Sequence, residues 1–176
     1  MEYIQLNNGI KMPSIGFGVY QIPLLMTKQC VLDALAIGYR HIDTARNYGN
    51  EREVGEALID SGISRAEIFL TTKIYGADSY RQACQYIDEA LNKLQTKYID
   101  LMLFHWPSGN ITETYRAMED YYKAGKLKMA ETVLIGYIPQ EINFINNNDS
   151  ILQTFCHEYP CLEGEARGIL AKYSFY

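Results

Sequence analysis

The chain has 176 residues, of which 48% are hydrophobic and 21% are charged, and its formal net charge is -5. These values describe an ordinary soluble globular chain with enough apolar material for one domain, so disorder is excluded as its main state. The acidic balance provides no electrostatic attraction to nucleic acid or to an anionic membrane surface, and we expect neither as a partner.

The amino terminus has neither the basic stretch nor the long apolar stretch of a signal peptide. No apolar run reaches the roughly 20 residues that a membrane span requires, so we expect a cytoplasmic protein. The four cysteines lack the spacing of metal ligands and are expected to be free thiols, mostly buried. They are Cys30, Cys84, Cys156 and Cys161.

Strand-like and helix-like patterns alternate along the first three quarters of the chain. A β-hairpin is predicted over residues 3–13, because Asn8 and Gly9 form a strong two-residue turn signal. The predicted strands that follow are 14–20, 40–44, 68–73 and 99–105, and the predicted helices are 27–38, 50–60, 79–96 and 112–124. The predicted N-caps are Thr27, Ser79 and Thr112, and the glycines predicted to end helices are Gly38, Gly62 and Gly125.

Repeated strand–helix units occur in closed (β/α)8 barrels and in open doubly wound sheets. A nucleotide-binding open sheet usually carries GxGxxG after its first strand, and only Gly16-Phe17-Gly18 approximates that motif here. Strands 68–73 and 99–105 are nearly continuous apolar runs, which predicts parallel strands covered on both faces. Because a complete barrel needs about 250 residues, we predict an α/β fold of the (β/α)8 TIM-barrel type, incomplete, with four to five βα units after an N-terminal hairpin.

Charge and pattern both change in the last third of the chain. From Glu131 onward there are six acidic residues and only two basic ones, Arg167 and Lys172. We therefore predict that residues 1–128 form the N-terminal part of a barrel and that residues 129–176 are a divergent tail, not a separate domain.

Polar residues stand at the ends of three predicted strands. Asp43 ends the second strand, Lys73 the third and His105 the fourth, and about one βα unit separates each from the next. Because parallel strands deliver their carboxyl ends to one rim, we expect these side chains to meet there. Tyr48, five residues after Asp43, is predicted to lean over the same crevice.

These four side chains would form an acid catalyst. A phenol is a weak acid with an ordinary pKa of about 10, and a nearby ammonium favours the phenolate. Lys73 would supply the ammonium, Asp43 would keep it charged and oriented, and His105 would hold a carbonyl oxygen beside the Tyr48 hydroxyl. Proton donation to an oxygen that gains negative charge suits carbonyl reduction by hydride transfer.

Each of these residues also has a structural interpretation. A lysine at a strand end is usually a solvated or ion-paired cation, and a lone aspartate before threonine usually belongs to a turn or a cap. His41, Asp43 and His105 would form an alternative metal site, which would suit a metal-dependent hydrolase on a barrel. Trp106 fits either the core or a pocket wall.

Several segments resemble one known family in their order and spacing. GYRHIDTARNYGNEREVG, residues 38–55, resembles the first signature of the aldo-keto reductases, and LNNGIKMPSIGFGVY resembles their hairpin and first barrel strand. TTK, ending at Lys73, and LFHWP, residues 103–107, resemble the segments that carry the other catalytic positions. The match covers roughly residues 3–128, and it implies a TIM barrel that reduces aldehydes or ketones with NADPH and without a metal.

The resemblance also implies a role for individual residues. For catalysis it implies Tyr48 as the proton donor, Lys73 and Asp43 as the pair that tunes it, and His105 as the residue that orients the carbonyl. The residues implied for binding are Val19, Tyr20 and Asp43 for the cofactor, and Tyr20, His105 and Trp106 for the substrate.

The sequence departs from the family after GKLK, residues 125–128. The family usually continues with IGVSNF, whose serine and asparagine help to hold the nicotinamide carboxamide, whereas this chain reads MAETVLIGYIPQEINF. The later residues that stack on the nicotinamide or grip the 2'-phosphate are also missing, so a preference for NADPH over NADH rests on the family alone.

We therefore hypothesise a truncated or frame-disrupted member of the family. Its open half barrel would leave strand edges and apolar surface exposed, which favours self-association. Two functions stay open: an NADPH-dependent reductase of small-molecule carbonyl substrates, or a catalytically inactive fragment that acts by oligomerising or by interacting with other proteins.

Overall fold

Strands and helices alternate in a computed structural model of the chain, which describes residues 2–6, 8–106, 108–128 and 153. The strands in this part are β1 (Tyr3–Gln5), β2 (Lys11–Pro13), β3 (Phe17–Gly18), β4 (His41–Asp43), β5 (Phe69–Ile74) and β6 (Leu101–Phe104). The α-helices are α1 (Leu24–Ala36), α2 (Glu51–Asp60), α3 (Tyr80–Lys93) and α4 (Ile111–Lys123), and two short 3-10 helices lie at Arg46–Tyr48 and Arg65–Glu67.

The strands β3 to β6 form one parallel sheet in the order in which they occur in the chain. This winding is that of a barrel, because a doubly wound sheet reverses its strand order. After α4, Leu127 pairs in parallel with Ile99, which precedes β6. Together with the antiparallel hairpin of β1 and β2, this confirms the predicted incomplete (β/α)8 fold over the described residues.

The two faces of the sheet differ in burial. On the face that packs against the helices, Ile42, Leu70 and Ile74 are all 0% exposed and belong to the main hydrophobic cluster. On the inner face Thr71 is still buried, but Leu103, near the carboxyl end of β6, is 38% exposed. The prediction that both faces of the sheet are covered is therefore wrong near the rim. Among the described residues, the inner face is exposed to solvent there.

The predicted helix ends are partly right. Ser79 caps α3, and its hydroxyl accepts a backbone hydrogen bond. The other two predicted N-caps are wrong: Thr27 lies buried inside α1, which begins after Pro23, and Asn110 rather than Thr112 caps α4. A proline is tolerated at a helix start because no backbone donor is needed there, so α1 begins one turn early. The predicted glycine stops are confirmed by left-handed φ angles of 109° at Gly38, 66° at Gly62 and 72° at Gly125.

Contacts divide the chain into two units, Met1–Val133 and Leu134–Tyr176, and the fold described above is that of the first. The predictions for residues 129–176 lie outside the described residues, except at Gln153, and so do Cys156 and Cys161. Cys30 and Cys84 are free thiols, and both are partly buried. No helix among the described residues has the length and apolar character that a membrane crossing requires.

Helix α2 approaches the end of α3 closely at Gly55. A Cβ atom on Gly55 would lie 2.4 Å from the carbonyl oxygen of Lys93 and 2.8 Å from the Cα atom of Leu94. Both of these are backbone atoms, which cannot move aside as a flexible side chain can. Only glycine therefore permits this helix spacing.

Gly55→Ala is expected to lower the free energy of unfolding by about 1–3 kcal/mol, because the methyl group forces the two helices apart. In an unhindered helix the same substitution would instead raise the free energy of unfolding by about 1 kcal/mol. Urea unfolding followed by circular dichroism measures the change. Arg52→Ala, an exposed site on the same helix, is the control and should change stability by no more than about 0.5 kcal/mol; a Gly55→Ala protein as stable as the wild type would contradict the packing argument.

Candidate active site

An ion pair joins the carboxyl ends of two adjacent parallel strands. Asp43 ends β4, and Lys73 is the fifth residue of β5. The Lys73 ammonium nitrogen lies 2.5 Å from Asp43 Oδ1 and donates a second hydrogen bond, of 3.1 Å, to the carbonyl oxygen of Thr44. The two charged side chains are only 15% and 31% exposed. The parallel register therefore presents a partly buried ammonium at the rim, held by two oxygen acceptors.

Tyr48 contacts the ammonium group of Lys73. It ends the 3-10 helix that follows β4, and the next residue, Gly49, has a left-handed φ of 72° that allows the chain to turn into α2. The Tyr48 hydroxyl oxygen accepts a hydrogen bond from Lys73 Nζ at 3.4 Å. The ammonium thus contacts a carboxylate, a carbonyl and a phenol.

His105 follows β6 and is held by aromatic rings. Its backbone nitrogen donates to the carbonyl oxygen of Ile74 at 2.8 Å, which continues the ladder between β5 and β6. Its imidazole stacks on Tyr75 with 5.5 Å between ring centroids, and the Tyr48 ring meets it edge-on at 5.6 Å. The sheet and the ring contacts therefore bring His105 to Tyr48, beside the ion pair of Asp43 and Lys73.

The residues implied for binding differ in their exposure. Tyr20 is 64% exposed, and its ring centroid lies 4.9 Å from that of Tyr48; Trp106 is 51% exposed and stacks on His105 at 6.4 Å. Trp106 is therefore a surface residue beside the rim and not part of the core. Val19, in contrast, is 0% exposed, and its backbone nitrogen and carbonyl oxygen are hydrogen-bonded to Asp43 and Asn50.

The alternative metal site is not assembled. Among the described residues, no group of three His, Cys, Asp or Glu side chains is placed to hold a metal ion. His41 Nε2 lies 2.9 Å from the Thr71 hydroxyl oxygen, and burial lowers the pKa of His41. His41 is therefore a neutral residue of the inner face.

Sequence reasoning missed two contributors to the site. Tyr75 stacks on His105, and its position two residues after Lys73, on the same side of the strand, was the available signal. Arg46, which begins the 3-10 helix, forms an ion pair with Glu89 of α3. This hydrogen bond lowers the pKa of the Glu89 carboxyl, and the Arg46 guanidinium also lies 4.0 Å above the ring of Tyr86. The segment that ends at Tyr48 is thereby anchored to α3, which no local sequence pattern could show.

A buried carboxyl group supports the rim from behind. Glu51, the first residue of α2, is 1% exposed, and its Oε1 accepts a hydrogen bond of 2.8 Å from the hydroxyl of Thr72, the neighbour of Lys73. Lys93 Nζ lies 3.8 Å from the other carboxyl oxygen. Burial raises the pKa of Glu51, and the hydrogen bond from Thr72 opposes that rise.

The raised pKa of Glu51 predicts a pH dependence of stability. Because the folded-state pKa lies above the ordinary value of 4.5, the folded protein keeps a proton that the unfolded chain releases. The free energy of unfolding therefore falls as the pH rises through the folded-state pKa. Glu51→Gln keeps an acceptor for Thr72 and removes the titration, so the variant should gain stability relative to the wild type as the pH rises above about 4.5. Urea unfolding at pH values below and above 4.5 measures the difference. Glu119→Gln, an exposed site on α4, is the control; parallel pH profiles for wild type and Glu51→Gln would contradict the prediction.

The fold and the rim together define a class of protein: α/β barrel proteins with an acid–base cluster at the carboxyl ends of their strands. The sequence model of the Aldo/keto reductase family matches residues 15–130. This match spans more than half of the chain, and the chain belongs to the aldo-keto reductase family.

Curated relatives and solved structures agree with this assignment. Morphine 6-dehydrogenase of Pseudomonas putida is 44% identical over 115 residues, which cover 65% of this chain and 39% of that protein. Glyoxal reductase of Bacillus subtilis is 38% identical over 130 residues, or 72% of this chain and 47% of the relative.

Two crystal structures of aldo-keto reductases also match this chain. An aldo/keto reductase from Brucella melitensis matches with a TM-score of 0.69 and 44% identity, over 72% of this chain and 50% of that one. The Bombyx mori aldo-keto reductase in complex with NADP matches with a TM-score of 0.66 and 31% identity, over 72% and 48% of the two chains. The chain spans about half the length, or less, of these relatives.

Proposed function

We propose that this protein reduces aldehydes or ketones to alcohols by hydride transfer from NADPH, with Tyr48 as the proton donor. The observation that carries the proposal is the Lys73 ammonium, which contacts both Asp43 and the Tyr48 hydroxyl at a partly buried rim. Carbonyl reduction with a nicotinamide cofactor is also the activity expected of an aldo-keto reductase.

Each rim residue has a role in this proposal. The Tyr48 hydroxyl would donate its proton to the carbonyl oxygen of the substrate, which gains negative charge during reduction. The Lys73 ammonium would stabilise the phenolate that is left, and Asp43 would hold the ammonium in place through the hydrogen bond of 2.5 Å between them. His105, packed against the Tyr48 ring, orients the carbonyl oxygen towards the phenol.

The rim fits the nicotinamide end of the cofactor. Tyr20 and Trp106 are exposed aromatic residues near the rim, and 31% of the Asp43 side chain is exposed there. Tyr20 and Asp43 would hold the nicotinamide portion, and the assignment of Val19 to the cofactor stays a prediction. When bound, NADPH supplies the hydride. The NADP complex of the Bombyx mori relative supports the choice of cofactor.

The proposed substrate is a small carbonyl compound. Tyr20, His105 and Trp106 would line its pocket, and Tyr75, stacked on His105, adds a fourth aromatic wall. The relatives are named a morphine 6-dehydrogenase and a glyoxal reductase, and these names refer to very different substrates. The proposal therefore names only the class of substrate, carbonyl compounds. The free thiols Cys30 and Cys84 fit the reducing environment of the cytoplasm, where we place the protein.

Tyr48→Phe is expected to lower the turnover of aldehydes by about 10²–10⁴-fold, because it removes the proton donor. NADPH binding should persist, since the phenyl ring keeps its contacts with the neighbouring rings. Loss of NADPH absorbance measures turnover, and cofactor fluorescence measures binding. Tyr3→Phe, at an exposed tyrosine of the hairpin, is the control and should match the wild type.

The alternative function is that of a catalytically inactive truncated fragment that acts by interacting with other proteins or by self-association through exposed half-barrel edges. The 38% exposure of Leu103 on the inner face of the sheet favours this alternative. A wild-type protein that neither binds NADPH at millimolar concentration nor reduces any aldehyde, and that sediments as an oligomer, would contradict the reductase proposal and support this alternative.

A further inference from the structure

A buried asparagine lies behind the rim. Asn50 precedes α2 and is 2% exposed. Its amide nitrogen donates to the carbonyl oxygen of Val19 at 3.0 Å and to Thr27 Oγ1 at 3.5 Å. Its amide oxygen accepts a hydrogen bond of 3.1 Å from the Thr44 hydroxyl. Both ends of the buried amide are therefore bonded, which offsets the free-energy cost of taking it out of water.

The three partners of Asn50 lie in or directly after three different elements. Val19 follows β3, Thr27 lies in the first turn of α1, and Thr44 follows β4. Each hydrogen bond fixes one of these elements relative to the start of α2. A single side chain thus sets the relative positions of two strand ends and two helix starts directly behind the rim.

Thr44 connects Asn50 to the charged group of the site. Its hydroxyl is bound to Asn50, while its carbonyl oxygen accepts the hydrogen bond of 3.1 Å from Lys73 Nζ. Thr44 is 0% exposed, and its backbone nitrogen donates to the carbonyl oxygen of Thr71 at 2.9 Å. A change in the orientation of the Thr44 side chain would therefore be transmitted to the carbonyl that holds the ammonium.

We propose that Asn50 is a positioning residue: through Thr44 it holds the carbonyl oxygen that, together with Asp43, fixes the Lys73 ammonium beside Tyr48. Its effect on the position of Lys73 is independent of catalysis, whereas its effect on turnover rests on the proposed function. The bond to the Val19 carbonyl extends the same control to the segment that leads into Tyr20.

The position of the ammonium can be tested without an activity assay. Competitive labelling with a small imidoester, read by peptide mass spectrometry, reports how firmly each lysine amine is held. Asn50→Ala and Thr44→Val both remove the bond between these two side chains, and each should raise the labelling of Lys73 relative to exposed Lys11 about three- to tenfold, the equivalent of one hydrogen bond. Thr44→Ser keeps the hydroxyl and should restore the wild-type value.

Two controls separate positioning from general loosening of the fold. Lys128, whose ammonium nitrogen lies 3.2 Å from Asp100 Oδ1, should keep its wild-type labelling in every variant. Met118→Ala removes a buried side chain from α4, so it should lower the free energy of unfolding and leave the labelling of Lys73 unchanged. An equal rise at Lys128, a rise in Met118→Ala, or unchanged labelling of Lys73 in Asn50→Ala would overturn the proposal.

The catalytic consequence has its own readout. Asn50→Ala and Thr44→Val should each lower kcat for carbonyl reduction about tenfold, because the ammonium is misplaced. Thr44→Val leaves the bond from Asn50 to the Val19 carbonyl in place, so the segment that leads into Tyr20 is undisturbed and KM should change by less than about twofold. Thr44→Ser should recover the kcat that Thr44→Val loses. Raised labelling of Lys73 with unchanged kcat would overturn this consequence. An inactive wild-type protein would instead refute the proposed function, and the labelling experiment would still decide the role of Asn50.

Discussion

The ion pair between Lys73 and Asp43 is the interaction on which the site depends. The ammonium of a lysine whose side chain is only 15% exposed needs acceptors in place of water. The rim supplies a carboxylate oxygen at 2.5 Å, a carbonyl oxygen at 3.1 Å and a phenol oxygen at 3.4 Å. The carboxylate and the carbonyl follow from β4, and the phenol comes from the 3-10 helix beyond it. The charge of Lys73 thereby brings two neighbouring segments together, and the proposed proton donation by Tyr48 depends on the same charge.

The frame behind this ion pair consists of interactions that involve no reacting group. Asn50 fixes the strand ends, Glu51 ties the start of α2 to Thr72, and Arg46 anchors the 3-10 helix to Glu89. Each of these contacts lies within a few residues of Tyr48 or Lys73. Hydride transfer tolerates little displacement of the reacting atoms, so such a frame explains how a rim that is open to solvent can keep an ordered arrangement.

The rim could be predicted from the sequence because its residues follow a local and periodic pattern. Polar residues ended successive apolar runs about one βα unit apart, and parallel strands place such residues at one edge. The supporting contacts could not be predicted in this way, since Arg46 and Glu89 lie 43 residues apart and Asn50 and Val19 lie 31 apart. They depend on how the helices pack on the sheet.

Element lengths were less predictable than element types. The predicted strand 14–20 contains only the two residues of β3, and a Cβ atom at Gly16 would lie 2.7 Å from His41 Nδ1. The chain before β3 is therefore shaped by a side chain of the neighbouring strand, which no propensity of its own residues shows. The burial of Val19 has a similar origin, because Val19 belongs to the same hydrophobic cluster as Val31 of α1 and Val54 of α2.

A double-mutant cycle on kcat/KM for aldehyde reduction, with Asp43→Asn, Lys73→Met and the combined variant, tests the central role of the ion pair most directly. If the two residues act as one unit, each single variant should lose nearly as much transition-state stabilisation as the double variant does. Losses that add independently, or a single variant that retains wild-type kcat/KM, would contradict the account.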